Sequence, residues 1–208
     1  MKFYLSSYRL GNNTNQLQKW LSITNKKVAY IPNGLDGLKM NEKRREERIG
    51  EDLQDLKDLG CEVELLDLKK YFGNKSALSE EIQSCAMLWL SGGNVFVLRQ
   101  AMHLSGLDIL IQEPPKEASF IYGGYSAAGC VLSPSLEAYQ IVDDPTDFPY
   151  KMKETIWEGL NLIDLVFLPH HNSNHPESED IAKELDYCVK NNLPYKTLED
   201  GEVWTFSR

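Results

Sequence analysis

The stretch Ile121-Tyr122-Gly123-Gly124-Tyr125-Ser126-Ala127-Ala128-Gly129-Cys130 decides how this chain is read. A short apolar strand, Phe120 to Tyr122, runs into two glycines, one serine and a set of small residues able to open a helix. That is the layout of a nucleophile elbow, which holds a serine on a tight strand-to-helix turn with its hydroxyl exposed. The turn crowds its neighbours, and Gly124, Ala127, Ala128 and Gly129 are small enough to allow it. The usual pattern is Gly-x-Ser-x-Gly, and here Ala128 stands at the last glycine. Small-residue turns also join strands to helices for packing alone. The serine therefore needs partners elsewhere in the chain.

Outward from this turn, buried-strand patterns alternate with helical ones. Lys2 to Tyr8, Lys27 to Ile31, Cys61 to Leu68, Met87 to Leu90 and Leu165 to Leu168 read as strands. Thr14 to Leu21, Asn41 to Leu59, Ser79 to Ser84, Val95 to Met102 and Pro176 to Val189 read as helices, and Leu107 to Lys116 as a helix interrupted by Pro114-Pro115. Residues 133–150 hold three prolines and no clear period, which predicts a long loop. Asp200-Gly201, flanked by two short apolar runs, predicts a hairpin. The alternation predicts an α/β fold: a three-layer α/β/α sandwich with a mostly parallel sheet, in one domain over residues 1–208.

The totals exclude several functions. With 208 residues and a net charge of -9, the surface is acidic. Nucleic acid and anionic membrane surfaces both favour a basic face, so neither is expected as a partner. The charged run Glu42 to Arg48 interleaves both signs and reads as a solvated helix face. No apolar run has the length of a membrane span. Cys61, Cys85, Cys130 and Cys188 form no Cys-x-x-Cys pair and read as buried free thiols in a reducing cytoplasm.

A serine nucleophile needs a base, and the base an orienting acid. His103 lies in a helix pattern and reads as structural. His170, His171 and His175 cluster in Pro169-His170-His171-Asn172-Ser173-Asn174-His175-Pro176, and His170 follows a buried strand almost directly. Strand carboxyl ends line the ligand crevice of an open α/β sheet, so Ser126 and His170 can meet at one rim. His171 and His175 have the i, i+4 spacing of a helical metal pair, but the asparagines and Pro176 argue for loop, and no metal is expected. Asp143, Asp144 and Glu137 are the candidate acids, with turn formation as the competing reading of the aspartates. The Ala127 amide follows the nucleophile and is one candidate oxyanion donor. Gly92-Gly93-Asn94, a glycine turn before a helix, is placed to supply the second.

Together these motifs resemble the S51 serine peptidases, the family of peptidase E (aspartyl dipeptidase) and cyanophycinase. The family pattern of Gly-Gly-Gly-Asn, Gly-x-Ser-Ala-Gly-Ala and Gly-Leu-x-Leu-Ile leading to Pro-His reads here as Ser91-Gly92-Gly93-Asn94, Gly124-Tyr125-Ser126-Ala127-Ala128-Gly129, and Gly159-Leu160-Asn161-Leu162-Ile163 through Pro169-His170. The resemblance implies a flavodoxin-like domain related to class I glutamine amidotransferases. It implies hydrolysis of a small peptide substrate in the cytoplasm with no cofactor or metal, and leaves a homodimer open. By position it implies Ser126 as nucleophile, His170 as base, Gly93 and Ala127 as oxyanion donors, Gly92 and Asn94 against the substrate, and Asp144 as the acid. Ser91 replaces the first glycine, and Ala128-Gly129 inverts the usual Gly-Ala order. No motif locates the basic residues that hold an aspartyl side chain. An esterase or acyl-transfer hydrolase with the same residues, and an inactive binding module, are the alternatives.

Overall fold

The computed structural model describes residues 1–37, 39–114 and 120–208. Six strands form one sheet: β1 (Lys2–Ser6), β2 (Lys27–Ile31), β3 (Glu62–Leu65), β4 (Met87–Leu90), β5 (Ile121–Tyr125) and β8 (Val203–Ser207), in the order β3-β2-β4-β5-β1-β8. The pairs β2/β3, β2/β4, β4/β5 and β1/β5 are parallel, and β8 joins β1 antiparallel. The run β3-β2-β4-β5 repeats the 2-1-3-4 order of flavodoxin-like sheets, so the order reverses between β2 and β4. Two further strands, β6 (Val166–Leu168) and β7 (Tyr195–Thr197), pair parallel in a separate ribbon.

Side chains alternate across a strand, so each strand supplies both faces of the sheet. Tyr4, Val28, Tyr30, Met87 and Trp89 pack on one face with Leu17 and Leu21 of α1 (Thr14–Leu21) and Ile49 and Leu56 of α2 (Glu42–Asp58). Phe3, Leu5, Ala29, Ile31, Leu88 and Leu90 pack on the other with α3 (Lys75–Gln83), α4 (Val95–Ser105), α5 (Leu107–Gln112) and α7 (Ser178–Lys190). The result is a three-layer α/β/α sandwich. Helix α4 is buried around most of its circumference, from Val95 to Met102, as its nearly continuous apolar sequence requires. Gly106, at φ 77, ends α4 in the left-handed conformation glycine tolerates.

Two expectations change. Asp200-Gly201 does form a turn, closed by the Glu202 amide on the Glu199 carbonyl at 2.9 Å. Its flanking strands do not pair with each other: β7 pairs with β6 and β8 with β1, so the turn carries the chain from one sheet to the other. The signal is local, whereas strand pairing is settled by which edge is free to accept each strand. Residues 137–141 form a short 3-10 helix inside the expected loop. Helix α5 stops at Gln112, short of the expected Lys116; residues 113 and 114 are not helical, and 115 and 116 lie outside the described residues. No helix among the described residues is long and apolar enough to cross a membrane. All four cysteines are buried and unpaired.

Candidate active site

Ser126 lies between β5 and the short helix α6 (Ala127–Cys130), with φ 51 and ψ −113. An L-residue rarely adopts this conformation, and it persists only where its surroundings impose it. The Ser126 amide donates to the Ser6 carbonyl at 3.2 Å, and its own carbonyl accepts from the Gly129 and Cys130 amides at 2.8 and 3.1 Å. A methyl group on Gly124 would stand 2.4 Å from the Leu90 carbonyl oxygen and 2.5 Å from the Ala128 methyl. One on Gly129 would stand 2.5 Å from the Phe167 ring. The inverted order thus has a packing reason: Gly124 makes room for Ala128, and Gly129 admits Phe167. Ala127 is the first helical residue, so its amide has no intrahelical acceptor.

The loop after β4 lies against the elbow. A methyl group on Gly92 would meet the Tyr125 ring at 2.7 Å and the Ser126 Cβ at 3.3 Å. Gly93 has φ 120, and a side chain there would collide with the Gly34 carbonyl at 2.2 Å. Both glycines line the cleft in front of Ser126. Asn94 does not. Its Oδ1 caps α4 by accepting from the Phe96 and Val97 amides at 2.8 and 3.1 Å, and its Nδ2 donates to the Asp144 carbonyl at 3.1 Å. The expectation that Asn94 meets substrate is corrected accordingly: the cap consumes its side chain.

His170, at φ 60, follows β6 and is buried with 2% exposure. Its Nδ1 lies 2.6 Å from Asp200 Oδ1. Ser7, just past β1, fastens this pair: its hydroxyl donates to Asp200 Oδ1 at 2.9 Å and accepts from the His170 amide at 2.8 Å. The Asp200 amide donates to Ser173 Oγ at 2.7 Å. Burial holds the His170 imidazole below its usual pKa, against the opposing pull of Asp200, so the ring is neutral at pH 7. His170, Asp200, Ser126 and Gly93 line one cleft of about 550 Å³.

The acid expected at Asp144 is therefore corrected to Asp200 as the partner of His170. Asp144 instead accepts from the Thr146 hydroxyl and amide at 2.7 and 2.9 Å and pairs with Lys39 at 2.9 Å, which holds it down at about 2. Asp143 accepts from the Val95 amide at the start of α4, and desolvation raises it to about 7. Glu137 accepts from the Tyr187 hydroxyl at 3.2 Å. Asp200 follows the histidine in the chain, whereas the candidates Glu137, Asp143 and Asp144 all precede it; triads occur in several chain orders. The available signal was Asp200 itself, three residues beyond a strand end.

The cleft lining carries both signs of charge. Arg44 and Arg48, one turn apart on α2, both line it; among the described residues neither forms an ion pair within 4 Å. The charged run was expected to be wholly solvated, but i, i+4 spacing puts these two on the same flank. Arg48 donates to the Tyr8 hydroxyl at 2.7 Å, and the Tyr8 ring meets the His170 and His175 rings edge-on or tilted at 6.1 and 5.8 Å. Beneath them Asp52 accepts from the Tyr30 and Tyr125 hydroxyls, both at 2.8 Å, and burial raises its carboxyl to about 6. His175, Glu177 and Asp200 line the same cleft. His171 lies outside the cleft, its amide donating to the Leu198 carbonyl at 3.1 Å.

The profile described as Peptidase family S51 matches residues 6–206. The chain belongs to peptidase family S51. Within this S51 chain, 139 residues are 30% identical to an uncharacterized peptidase of Listeria monocytogenes, covering 66% of this chain and 64% of the relative. Another 144-residue match, 26% identical, is to an uncharacterized peptidase of Pasteurella multocida, covering 69% and 66%. The matched stretches thus span just under two thirds of those relatives. The fold is similar to that of a candidate peptidase E protein from Listeria monocytogenes, with a TM-score of 0.73, 24% identity, and 100% and 98% of the two chains covered. It is also similar to a peptidase from an acI-B1 actinobacterium, with a TM-score of 0.63, 16% identity, and 99% and 82% covered. Both likenesses concern the S51 fold.

Proposed function

We propose that this S51 chain is a serine peptidase that hydrolyses short peptides. The observation that carries the reading is the His170–Asp200 pair, bonded at 2.6 Å through Nδ1 and lining the same cleft as the strained Ser126. In this reading Asp200 keeps the His170 proton on Nδ1, which leaves the Nε2 lone pair toward the cleft. His170 takes the Ser126 hydroxyl proton as Oγ attacks the scissile carbonyl. The tetrahedral oxyanion is stabilised by the Gly93 and Ala127 amides. His170 then gives the proton to the leaving amine, an acyl-Ser126 ester remains, and water activated by the same imidazole releases it.

The charged groups lining the cleft bear on substrate. Arg44 and Arg48 favour a carboxylate, and Glu177 and Asp200 favour an ammonium group. A short peptide with free ends or an acidic side chain carries both. The binding-module alternative rests on an altered elbow and an acid that the sequence does not place; the packing of Ala128 and the position of Asp200 weaken both supports.

The test is labelling by a fluorophosphonate, with a parallel screen of dipeptides, N-blocked dipeptides and simple esters. Ser126 is expected to take up probe, Ser126→Ala to take up none, and free dipeptides to be turned over faster than blocked ones. Equal labelling of the two proteins would sink the nucleophile assignment. Turnover of esters alone would favour the esterase alternative.

A further inference from the structure

His170 has a second companion that the proposed peptidase chemistry leaves unused. The His175 ring stacks on it, with centroids 3.7 Å apart and planes 9° from parallel. Glu177 closes the group: its carboxylate oxygen lies 3.9 Å from His175 Nδ1. A ring nitrogen from each histidine and an oxygen from Glu177 all fall within 4.8 Å of one another, and among the described residues no other three His, Cys, Asp or Glu side chains converge this closely.

We propose that His170, His175 and Glu177 form a site for a borderline-soft divalent cation such as Zn2+, and that filling it withdraws His170 from Ser126. Two imidazoles and one carboxylate are the donor set zinc takes, with a fourth position left for water. The Nδ1 of His170 is already held by Asp200 at 2.6 Å, which leaves Nε2 as the free donor. A carboxylate behind a histidine is also the outer support that metal-ligating histidines use to fix their tautomer. Zinc bonds of about 2.0–2.2 Å set tetrahedral donors about 3.3 Å apart, so the three must draw in by up to about 1.5 Å. Parallel rings cannot both point at one ion, so His175 must turn out of the stack. Its neighbours Asn174 and Pro176 are exposed, and turning it out gives up the 3.3 Å hydrogen bond that His175 Nδ1 accepts from the Glu177 amide. Hard cations such as Mg2+ prefer oxygen shells and are not expected to bind. The four cysteines are buried and do not line the cleft, so a folded chain offers zinc no thiolate there.

The inhibitory half rests on the serine-peptidase reading; the binding half does not. Calorimetric titration of Zn2+ into the metal-free chain should show one equivalent bound and no heat with Mg2+. His175→Ala and Glu177→Gln should each weaken binding about tenfold or more, with Glu177→Gln deciding if His175→Ala does not fold. No uptake of Zn2+, or wild-type affinity in the folded variants, overturns the site. Labelling of Ser126 by fluorophosphonate is then followed with and without Zn2+. Slower labelling restored by EDTA supports the inhibitory half, and an unchanged rate with the site filled overturns it. Absence of labelling in metal-free protein counts against the peptidase reading and leaves the binding result standing.

Discussion

The Ser7 hydroxyl donates to Asp200 Oδ1 at 2.9 Å, and Ser7 Oγ accepts from the His170 amide at 2.8 Å. One side chain just past β1 thus fixes both Asp200 and His170, which arrive from the turn after β7 and from β6. Ser7→Ala removes a hydrogen bond to a charged group, so kcat should fall roughly 10- to 100-fold, corresponding to about 1.5–3 kcal/mol. KM should change little. A merely structural role would lower the melting temperature without selectively lowering kcat.

Asp200 and Asp144 separate by mutation. Asp200→Asn should lower kcat/KM by about 10³- to 10⁴-fold through loss of the correct tautomer. Asp144→Asn should leave activity within about threefold, since this exposed carboxylate pairs with Lys39 and lies off the cleft. Assays of both variants on a common dipeptide decide between them; a large loss in Asp144→Asn alone would reverse the assignment.

The His170 base should titrate below the ordinary histidine value, because burial outweighs the pull of Asp200. The base must be neutral, so activity is present above its pKa and lost as pH falls through it. The acid limb of kcat/KM should therefore lie below pH 6.5, the ordinary value of the free side chain. Removing Asp200 should move the limb lower still. A limb above pH 6.5 in the wild type would contradict the burial argument.

Glu184 is fully buried, with neither carboxylate oxygen hydrogen-bonded among the described residues, and desolvation raises it from 4.5 to about 9. The native state then holds a proton that the unfolded state has lost between those values. Stability contributed by this group is present at low pH and declines as pH rises from about 4.5 to 9, by up to about 1.4 kcal/mol per unit. Glu184→Gln cannot ionise, so its melting temperature should fall less than wild type between pH 6 and 9. Parallel pH slopes for the two proteins would refute this.

Gly124 tolerates no side chain. Gly124→Ala would set a methyl 2.4 Å from the Leu90 carbonyl oxygen and 2.5 Å from the Ala128 methyl. Overpacking of this kind costs about 1–3 kcal/mol or more, a fall of roughly 2–4 °C in Tm per kcal/mol for a chain of this size. Ala128→Gly in the Gly124→Ala background should recover only part, since the Leu90 contact remains.

Local chemistry made much of this chain legible. The elbow was readable because the turn demands small residues at fixed offsets around Ser126. His170 was readable because it follows an apolar strand, and the α/β layering because periods of two and near four alternate along the chain. The charged run in α2 was read as a solvated face, and only packing showed that Arg44 and Arg48 turn toward the cleft. Asp200 looked like a hairpin residue because a turn signal reports local backbone, not the sheets its flanks will join. The pairing of β7 with β6 and of β8 with β1 sends the turn across the His170 ring. Sequence by itself determined which groups can do chemistry and the local shapes that hold them. Tertiary structure alone decided which acid meets the base, because that contact spans 30 residues and depends on which strand edges were free.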